Sequence, residues 1–494
     1  MSNIPPKKRL NSIKKRVAAS LVLATSVLSS CQSEKPASAP VQAVPQNTEI
    51  ISPFEQVFRL KGVKDVPFAQ GSTVSIVKSG EAKAEDITQA EIERMVAAVL
   101  YKTGDFKSLI KNGQTVVIKP NLVQMKVDST GELIDKEVSG ITTDWRVTNA
   151  VVEQVRKLNP DGKIYIIEGS ATGGTKNVME YLHYTLEFMP EVDGFFALEE
   201  DCGAWQDFDA PEIIKIESND TLLHDEYYFS RMVYEADVLI SIPCLKSTSG
   251  CVVTGGIKNV SMGLPPGNIY GYSETSASKL NMVSHKMHDG ALDKWIYDYF
   301  ICRPVDYVVV DGLQGFQNGP TPKNHDAILD DRMNMRIIMA GVDAVAVDTT
   351  CALVMGWDPQ SVRYLNHFAD ADIGHTETAR ILTLGEQVGG LRKNFGNKFP
   401  NLGGTPIEIL ERPAINDLNY SIVGKDLHIA LATGPEAVKA ELYINGYFTA
   451  LVPVVSGAAA FDLEVAIPAG AEYTARVLVY DRFMNAAEES FALG

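Results

Sequence analysis

The sequence predicts an α/β protein with a largely parallel sheet flanked by helices, followed by a small C-terminal antiparallel β-sandwich of immunoglobulin-like type. Short apolar runs of strand length alternate with segments of helical periodicity up to about residue 407, and this alternation favours right-handed crossovers between parallel strands. The remaining residues contain short alternating strands separated by turn residues, which is typical of a sandwich. A length of 494 residues also exceeds one ordinary domain.

Composition and charge exclude several classes of function. A hydrophobic share of 45% with 22% charged residues is normal for a globular protein. The formal net charge of -17 opposes contact with a phosphate backbone, so no nucleic-acid partner is expected. The six cysteines include no Cys-x-x-Cys pair, so neither an iron-sulfur cluster nor a structural zinc site is indicated. The glycines after Glu168 do not match the dinucleotide fingerprint.

Residues 1–31 read as a lipoprotein signal peptide. A basic start precedes an apolar stretch that is too short to span a bilayer. The run Leu28-Ser-Ser-Cys31 resembles the lipobox of bacterial lipoproteins, which implies lipidation of Cys31, a membrane anchor and a place in the cell envelope. By the same resemblance, the residue after the cysteine, Gln32, implies that in a Gram-negative organism the protein is sorted to the outer membrane and faces the periplasm. Residues 32–53, rich in Ser, Pro, Ala and Gln, then form a flexible tether.

The α/β domain is assigned to residues 54–407. Strands are predicted at 72–78, 114–123, 162–169, 236–242, 305–312 and 335–341. Thr88 opens a capping box before a helix, a second helix is expected over 145–158, and Asp343 can cap a third. Asp358-Pro359 opens another helix, because proline is tolerated in a first turn. Residues 408–494 form the sandwich, with strands expected near 419–423, 426–431, 440–448, 460–465 and 473–481.

Polar side chains follow several predicted strands of the α/β domain. In open parallel sheets ligands bind beyond the carboxyl ends of the strands, so these side chains are expected to form one crevice. The residues expected to bind a ligand there are Lys119, Asn121, Lys246, Thr254, Gly255, Gly256 and Asn259. The residues expected to do chemistry are Lys258, Asp311, Glu168 and His288.

The residue types in this crevice indicate its ligand. Lysines, hydroxyls and backbone donors freed by glycine suit a small anion such as a carboxylate or a phosphate. Carboxylates and imidazoles can carry protons or bind a metal. A divalent metal is therefore a candidate cofactor. His285 and His288, three residues apart, are its candidate ligands, and an ordinary helical surface is the alternative interpretation of that segment.

Two cysteines flank the loop predicted at 247–251. Cys244 and Cys251 could form a disulfide in an oxidising compartment, or remain buried thiols.

Several motifs together resemble the domain of unknown function 362 family over roughly residues 72 to 375. They are Lys119-Pro-Asn121, the run 236–246, Thr254-Gly-Gly-Ile-Lys-Asn259, His288, Val310-Asp-Gly312, Asn318-Gly-Pro320 and the run 340–348. The resemblance implies an α/β domain and gives little biochemistry, since the family is largely uncharacterised. Many of its members are fused to iron-sulfur ferredoxin modules, but this sequence has no such cysteine run.

The segment 237–267 is also similar to the N-terminal part of the lactate racemase family. There a strand, a histidine-bearing loop and a glycine-rich turn with a lysine build a nickel-pincer site. That similarity implies that Lys258 corresponds to the cofactor-linked lysine and Pro266-Gly267 to the closing step. The loop at 247–251 has no histidine in this sequence.

Two classes of function follow from these observations. The first is an enzyme acting on a small carboxylate or phosphate-bearing substrate with metal assistance. The second is a non-catalytic, lipid-anchored protein that binds a ligand or serves as a scaffold. The sequence names neither the substrate nor a protein partner.

Overall fold

A computed structural model describes residues 58–60, 71–123, 140–170, 174–248, 250–271, 291–319, 331–396, 404–408, 412–465 and 472–493. Up to residue 385 the strands are β1 (Phe58–Leu60), β2 (Ser72–Lys78), β3 (Thr115–Lys119), β4 (Lys163–Glu168), β5 (Gly194–Ala197), β6 (Ile213–Glu217), β7 (Glu226–Ser230), β8 (Val238–Ser241), β9 (Cys244–Thr248), β10 (Val252–Thr254), β11 (Tyr307–Gly319), β12 (Ile337–Gly341) and β13 (Ile381–Gly385). The strands that follow are β14 (Ile415–Val423), β15 (Asp426–Thr433), β16 (Ala437–Ile444), β17 (Tyr447–Pro453), β18 (Ala458–Val465), β19 (Tyr473–Asp481) and β20 (Ala486–Leu493).

The α-helices within these ranges flank the large sheet. They are α1 (Gln89–Lys102), α2 (Asp105–Leu109), α3 (Trp145–Leu158), α4 (Thr175–Tyr181), α5 (Arg231–Glu235), α6 (Gly256–Gly263), α7 (Gly267–Tyr270), α8 (Ala291–Cys302), α9 (Ala344–Val354), α10 (Arg363–Asp370) and α11 (Val388–Leu391). Across the described parts of the chain, none of these helices has the length and apolar character needed to cross a bilayer.

The α/β domain is built on a sheet of ten strands, which confirms the predicted fold class. Its main path runs β13-β2-β12-β11-β8-β3-β4-β5, with the hairpin β9–β10 attached through β11. Along that path every neighbouring pair is parallel except the two pairs made by β12. Of the polar residues predicted at strand ends, Lys119 and Glu168 are the last residues of the parallel strands β3 and β4. Lys246 lies within β9 and Asp311 within β11.

Helix caps follow the predicted chemistry. The Thr88 side chain accepts a hydrogen bond from the Glu91 backbone N–H at the start of α1, and Asp343 accepts from two backbone N–H groups at the start of α9. The helix predicted over 145–158 is α3, capped by Asp144. At Asp358-Pro359 the prediction of a helix start is only partly met: the segment makes a single 3₁₀ turn, and the next α-helix begins at Arg363.

The stretch around Lys246 differs from the predicted strand and polar loop. The apolar strand ends at Ser241, and a second strand then begins at Cys244. The residues expected in a loop instead form the hairpin β9–β10, in which Thr254 lies opposite Lys246. Since directly paired residues point to the same side of a sheet, the hairpin places these two side chains on one face.

Two antiparallel sheets follow the α/β domain and fit a β-sandwich. Their strand orders are β1-β18-β15-β14 and β17-β16-β19-β20, and apolar side chains such as Leu431, Leu442 and Phe461 fill the space between them. The predicted start of the α/β domain at residue 54 has to be corrected. Phe58–Leu60 forms β1 and pairs with β18 of the sandwich, because Leu60 lies opposite Leu463.

The sandwich packs against the α/β domain through a buried polar contact. The Lys439 ammonium donates to the Ile381 backbone carbonyl at 2.6 Å and to Glu441 at 2.7 Å. Both charged side chains are 0% exposed. Arg392 of the α/β domain also donates to the Asn485 side chain at 2.7 Å. The two domains therefore share a specific, hydrogen-bonded interface.

Candidate functional site

A buried polar network lies at the carboxyl edge of the large sheet. Lys119 at the end of β3 and Glu168 at the end of β4 form an ion pair, with 2.5 Å between Nζ and Oε1. The Lys119 ammonium also donates to the Pro120 carbonyl at 2.8 Å. The second oxygen of Glu168 accepts from the Leu122 backbone N–H at 2.7 Å. Adjacent parallel strands thus place a lysine and a carboxylate in direct contact.

Two asparagines connect this ion pair to Lys246. Oδ1 of Asn259 accepts from the Lys119 ammonium at 3.1 Å and from the Asn121 amide at 2.8 Å. The Lys246 ammonium then donates to Oδ1 of Asn121 at 2.7 Å and to the Ile141 carbonyl at 2.6 Å. Five residues predicted for the site are therefore brought into one continuous network, which we call the strand-end network: Lys119, Asn121, Glu168, Lys246 and Asn259.

Burial dominates the electrostatics of the strand-end network. Lys119 and Glu168 are each 1% exposed. Burial lowers the pKa of Lys119, and the neighbouring Glu168 carboxylate opposes that shift. Burial also raises the pKa of Glu168, against the effect of the Lys119 ammonium. Because the charge of Lys119 is balanced internally, this lysine does not provide an uncompensated positive charge for an external anion.

The glycine turn before Lys258 is held by a carboxylate. The backbone N–H of Gly256, a residue predicted to bind a ligand, donates to the Asp348 carboxylate at 2.6 Å, and the N–H of Ile257 donates to it at 3.2 Å. A Cβ atom on Gly255 would lie 2.1 Å from an oxygen of that carboxylate. Gly255 and Gly256 therefore allow Asp348 to cap the first turn of α6. Burial raises the pKa of Asp348 to about 7.

Asp311 lies beside the strand-end network as a second buried carboxyl. Its two oxygens accept from the backbone N–H groups of Asp144 at 2.8 Å and Leu313 at 3.1 Å. Burial, with a smaller effect from Asp144, raises the pKa of Asp311 to about 7. The residue opposite it in the sheet is Cys244, whose pKa is raised to about 12 by burial and influenced by both Lys246 and Asp311. Asp311 can thus exchange a proton near neutral pH.

Lys258 makes no hydrogen bond or ion pair with the strand-end network within the described residues. It is 4% exposed, and within the described ranges no hydrogen bond or ion pair is formed by its ammonium. Burial lowers the pKa of Lys258, and the Cys251 thiol is the electrostatic neighbour that opposes this shift. Helix α6 thus places Asn259 in the strand-end network, whereas the electrostatic neighbour of Lys258 is Cys251.

A group of charged residues surrounds Cys251. Its pKa is raised to about 12 by burial, and Lys258, Asp293 and Arg363 all act on it. Asp293 of α8 lies 3.1 Å from the Arg363 guanidinium of α10. Neither carboxylate oxygen of Asp293 accepts a hydrogen bond within the described residues. We call Cys251, Lys258, Asp293 and Arg363 the Lys258 cluster.

The Thr254 hydroxyl is another buried polar group without a partner in the described ranges. Thr254 is 1% exposed, and its Oγ1 atom makes no hydrogen bond there. By contrast, the Thr143 hydroxyl accepts from the Asn121 backbone N–H at 2.8 Å and donates to the Ile242 carbonyl at 2.7 Å. Thr254 therefore keeps hydrogen-bonding capacity that a ligand or a water molecule could use.

The structure answers the disulfide prediction, whereas the predicted metal ligands and the lipidated cysteine lie outside the described residues. Cys244 and Cys251 are both buried thiols that do not form a disulfide. His285, His288 and Cys31 lie outside the described residues. Within the described ranges, no three His, Cys, Asp or Glu side chains are grouped to hold a metal ion. Among the described residues the electrostatic neighbour of Lys258 is the Cys251 thiol, which supplies no imidazole for a nickel-pincer group.

Several residues that contact the site from distant parts of the chain were not predicted from the sequence. Asp144 and Thr143 precede α3, and only a helix-cap pattern marks them. Arg363 opens α10, and no local motif identifies it as a partner of Asp293. Asp348 was noted only as part of the family motif at 340–348. Its contact with Gly256 in the glycine turn was not predicted, because 92 residues of sequence separate the two positions.

Comparison with known families identifies the domain that carries both groups. Residues 116–353 match the family model "Domain of unknown function (DUF362)". The resemblance predicted from the motifs is thereby confirmed. The match contains the strand-end network, Asp311, Cys251, Lys258, Asp293 and Asp348, and it ends before Arg363 and the sandwich.

Solved structures give only distant similarity. The lactate racemase apoprotein from Thermoanaerobacterium thermosaccharolyticum is 14% identical, with a TM-score of 0.26, over 44% of this chain and 48% of that chain. A hypothetical protein from Pyrococcus horikoshii OT3 is 14% identical, with a TM-score of 0.15, over 18% of this chain and 92% of that chain. A superoxide reductase in the oxidized state is 16% identical, with a TM-score of 0.14, over 18% and 93%. No curated protein matches the chain.

Proposed function

We propose that the DUF362 domain binds a small anion, a carboxylate or a phosphate, and that Lys258 is the principal cation for it. The observation that carries this proposal is the ammonium of Lys258, which is 4% exposed and has no counter-ion within the described ranges. An isolated buried charge costs several kcal/mol. An anionic ligand would supply the missing counter-charge, and the Thr254 hydroxyl would offer it a hydrogen bond.

We further propose that the domain is an enzyme, with Asp311, beside the strand-end network, as a proton carrier. A carboxyl whose pKa is raised to about 7 is matched to proton transfer at neutral pH. Glu168, the other carboxyl predicted to do chemistry, is less suited to this role. Its oxygens are held by Lys119 and by the backbone N–H groups of Leu122 and Gly169.

The alternative is a non-catalytic protein that binds a ligand or serves as a scaffold. The hydrogen bonds that occupy both oxygens of Glu168 and of Asp311 favour it, because a base must be free to accept a proton. Under this alternative the strand-end network stabilises the fold, and Lys258 retains its anion without turnover. Incubation of the protein with phosphate esters and hydroxy acids, followed by product analysis, would separate the two functions.

Calorimetric titration with phosphate and with oxalate tests the binding proposal. We expect binding by the unaltered protein and a loss of affinity of at least about tenfold in Lys258→Ala, because a charge-assisted hydrogen bond contributes roughly 1.5–3 kcal/mol. Lys107→Ala, which removes an exposed lysine of α2, is the matched control and should bind normally. Equal affinity in both variants, with circular dichroism unchanged, would refute the role of Lys258.

We also propose that the protein is anchored in the cell envelope through a lipid on Cys31, at the outer membrane in a Gram-negative organism. The support is the order of basic, apolar and small residues before Cys31. Cys31→Ser should abolish incorporation of labelled fatty acid and release the protein from the membrane fraction. Retention of the label in this variant would disprove the anchor.

A further inference from the structure

We propose that three cations at the carboxyl edge of the large sheet, Lys78, Arg336 and Lys393, bind a dianionic phosphate group, either free or as a monoester. We call these three residues the basic cluster. It shares no residue with the strand-end network or with the Lys258 cluster, so this inference goes beyond the proposed function and does not depend on it. No local pattern marks the basic cluster, because its members are far apart in the sequence.

The basic cluster is assembled around the segment that precedes β12. The Lys393 ammonium donates to the Asn334 carbonyl at 3.0 Å, and Arg336 lies two residues further along the chain. The Arg336 carbonyl accepts from the Ser79 backbone N–H at 2.8 Å. Ser79 directly follows Lys78, the last residue of β2. These contacts bring cations from three separate parts of the sequence together.

The basic cluster lies at the same edge of the sheet as the strand-end network. β12 is antiparallel to both β2 and β11, so β2 runs in the direction of β11. That direction is shared by β8 and β3, and β3 ends at Lys119. Lys78 therefore ends its strand at the carboxyl edge, and Arg336, which precedes β12, lies there too. In open sheets this is the edge at which ligands bind.

No carboxylate forms an ion pair with the basic cluster within the described ranges. The nearby acid Glu85 pairs with a different cation, Arg332, at 2.9 Å. Burial lowers the pKa of Lys393, and the positive charges of Arg336 and Lys78 lower it further. Because shifts of several units require full burial, the half-buried Lys393 stays protonated at neutral pH. Three like charges are thus held together without a counter-charge, in a protein whose net charge is -17.

The backbone at Arg336 is held in an unfavourable conformation. Arg336 and Asn334 have φ values of 61° and 43°, in the left-handed region that is costly for most residues with a Cβ atom. The Asn334 side chain fixes the segment by donating to the Ala82 carbonyl at 3.0 Å and accepting from the Ala84 backbone N–H at 2.9 Å. Strained residues that are held in this way concentrate at ligand sites.

The Arg336 guanidinium keeps hydrogen-bonding capacity. One of its terminal nitrogens donates to the Glu81 carbonyl, whereas its Nε–H is buried without an acceptor in the described ranges. A guanidinium can bind two phosphate oxygens at once, and lysines add point charges. A phosphate monoester carries roughly -1.5 to -2 charge at pH 7, so it matches three cations better than a singly charged anion does.

Calorimetric titration with methyl phosphate, inorganic phosphate and dimethyl phosphate tests this inference on the full chain. Lys78→Gln is the principal variant, because within the described ranges its side chain makes no hydrogen bond that the fold would lose. We expect the affinity for methyl phosphate to fall at least about tenfold in Lys78→Gln and in Lys393→Gln. Lys107→Gln, at an exposed lysine of α2, should bind normally. The singly charged dimethyl phosphate should bind at least about tenfold more weakly than methyl phosphate.

The three ligands also identify the source of the phosphate group. Tighter binding of methyl phosphate than of inorganic phosphate would indicate an ester ligand, and the reverse order would indicate the free ion. Affinities in Lys78→Gln equal to those in Lys107→Gln, with unchanged circular dichroism, would overturn the basic cluster as a binding site. That comparison decides the question even if Lys393→Gln fails to fold.

Stoichiometry separates this inference from the proposed function. The unaltered protein should bind phosphate at both sites, and Lys258→Ala and Lys78→Gln should each lose a different one of them. Loss in Lys78→Gln alone would support the basic cluster and refute the role of Lys258. Loss in Lys258→Ala alone would support the proposed function and overturn the basic cluster.

Discussion

The Lys119 ammonium and the Glu168 carboxylate lie 2.5 Å apart at the ends of two adjacent parallel strands, and each residue is 1% exposed. This pair anchors the strand-end network, and its removal should be costly. A buried charge that loses its partner typically destabilises a protein by about 3–5 kcal/mol.

Glu168→Gln should lower the free energy of unfolding by about 3–5 kcal/mol, because it leaves Lys119 without its counter-ion. Urea denaturation followed by circular dichroism measures the change. Glu217→Gln is the control, because the Glu217 side chain, which pairs with Lys215, is 73% exposed. Its loss should change the free energy of unfolding by less than about 1 kcal/mol. Similar small effects in both variants would show that the buried pair is not required.

The hydroxyls of Thr143 and Thr254 should respond differently to the same substitution. Thr143→Val removes an acceptor for Asn121 and a donor to Ile242, so a loss of about 1–3 kcal/mol is expected. Thr254→Val removes a hydroxyl without a hydrogen bond in the described ranges and should leave stability nearly unchanged while weakening phosphate binding. Thermal denaturation and calorimetry measure the two effects. A large loss of stability in Thr254→Val would mean that its hydroxyl has a structural partner.

Gly255→Ala should destabilise the turn before α6. The added Cβ would lie 2.1 Å from an Asp348 oxygen, and the carboxylate would have to leave its position at the helix start. Overpacking of this kind costs about 1–3 kcal/mol. Gly80→Ala, where a Cβ meets nothing within 4 Å, provides the comparison. The expectation fails if chemical denaturation ranks the two variants equally.

Asp311 should make the folded state less stable as pH rises. Its pKa is raised to about 7 in the folded protein, against about 3.9 in an unfolded chain, so between these values the folded state holds the proton more tightly. The free energy of unfolding should therefore fall as pH increases from about 4 to about 7 and then level off.

Asp311→Asn cannot lose that proton and should show a smaller decrease across the same interval. Urea denaturation at a series of pH values in both proteins provides the test. Asp348, whose pKa is also raised to about 7, contributes with the same sign, so the decrease should be reduced but not abolished. Identical pH profiles would argue against a proton on Asp311.

Glu441→Gln should weaken the docking of the sandwich on the α/β domain. It leaves the Lys439 ammonium, 0% exposed, with the Ile381 carbonyl and without its carboxylate. We expect differential scanning calorimetry to show the sandwich unfolding at a lower temperature than the α/β domain. Glu488→Gln, which removes the exposed partner of Arg476, should preserve the original transition. An unsplit transition in both proteins would mean that other contacts suffice.

Patterns among neighbouring residues predicted the helices and strands well, and the contacts between these elements less well. The helix α3 was predicted at its observed bounds because the spacing of apolar side chains is a property of neighbouring residues. The hairpin β9–β10 was taken for a loop, since its pairing with β11 depends on residues that are far away in sequence.

The residues of the candidate site show the same difference between local and long-range signals. Strand ends located Lys119 and Glu168, because parallel strands bring their carboxyl ends to one edge, whereas Lys246 lies within β9. The direction of Lys258 could not be inferred, since consecutive residues on a helix point about 100° apart and only the packed neighbours decide which one faces the sheet. The use of the α6 backbone donors by Asp348 was equally beyond local reasoning.

The pairing of β1 with β18 has a consequence for how the chain folds. Leu60 finds its partner at Leu463, so this strand pair closes a loop that contains the whole α/β domain. Loop-closure entropy rises only slowly with length, but contacts of high sequence separation form late. A chain that is synthesised amino terminus first must therefore hold β1 without a partner until nearly all of it has been made, and β1 joins an otherwise assembled sheet in a final step.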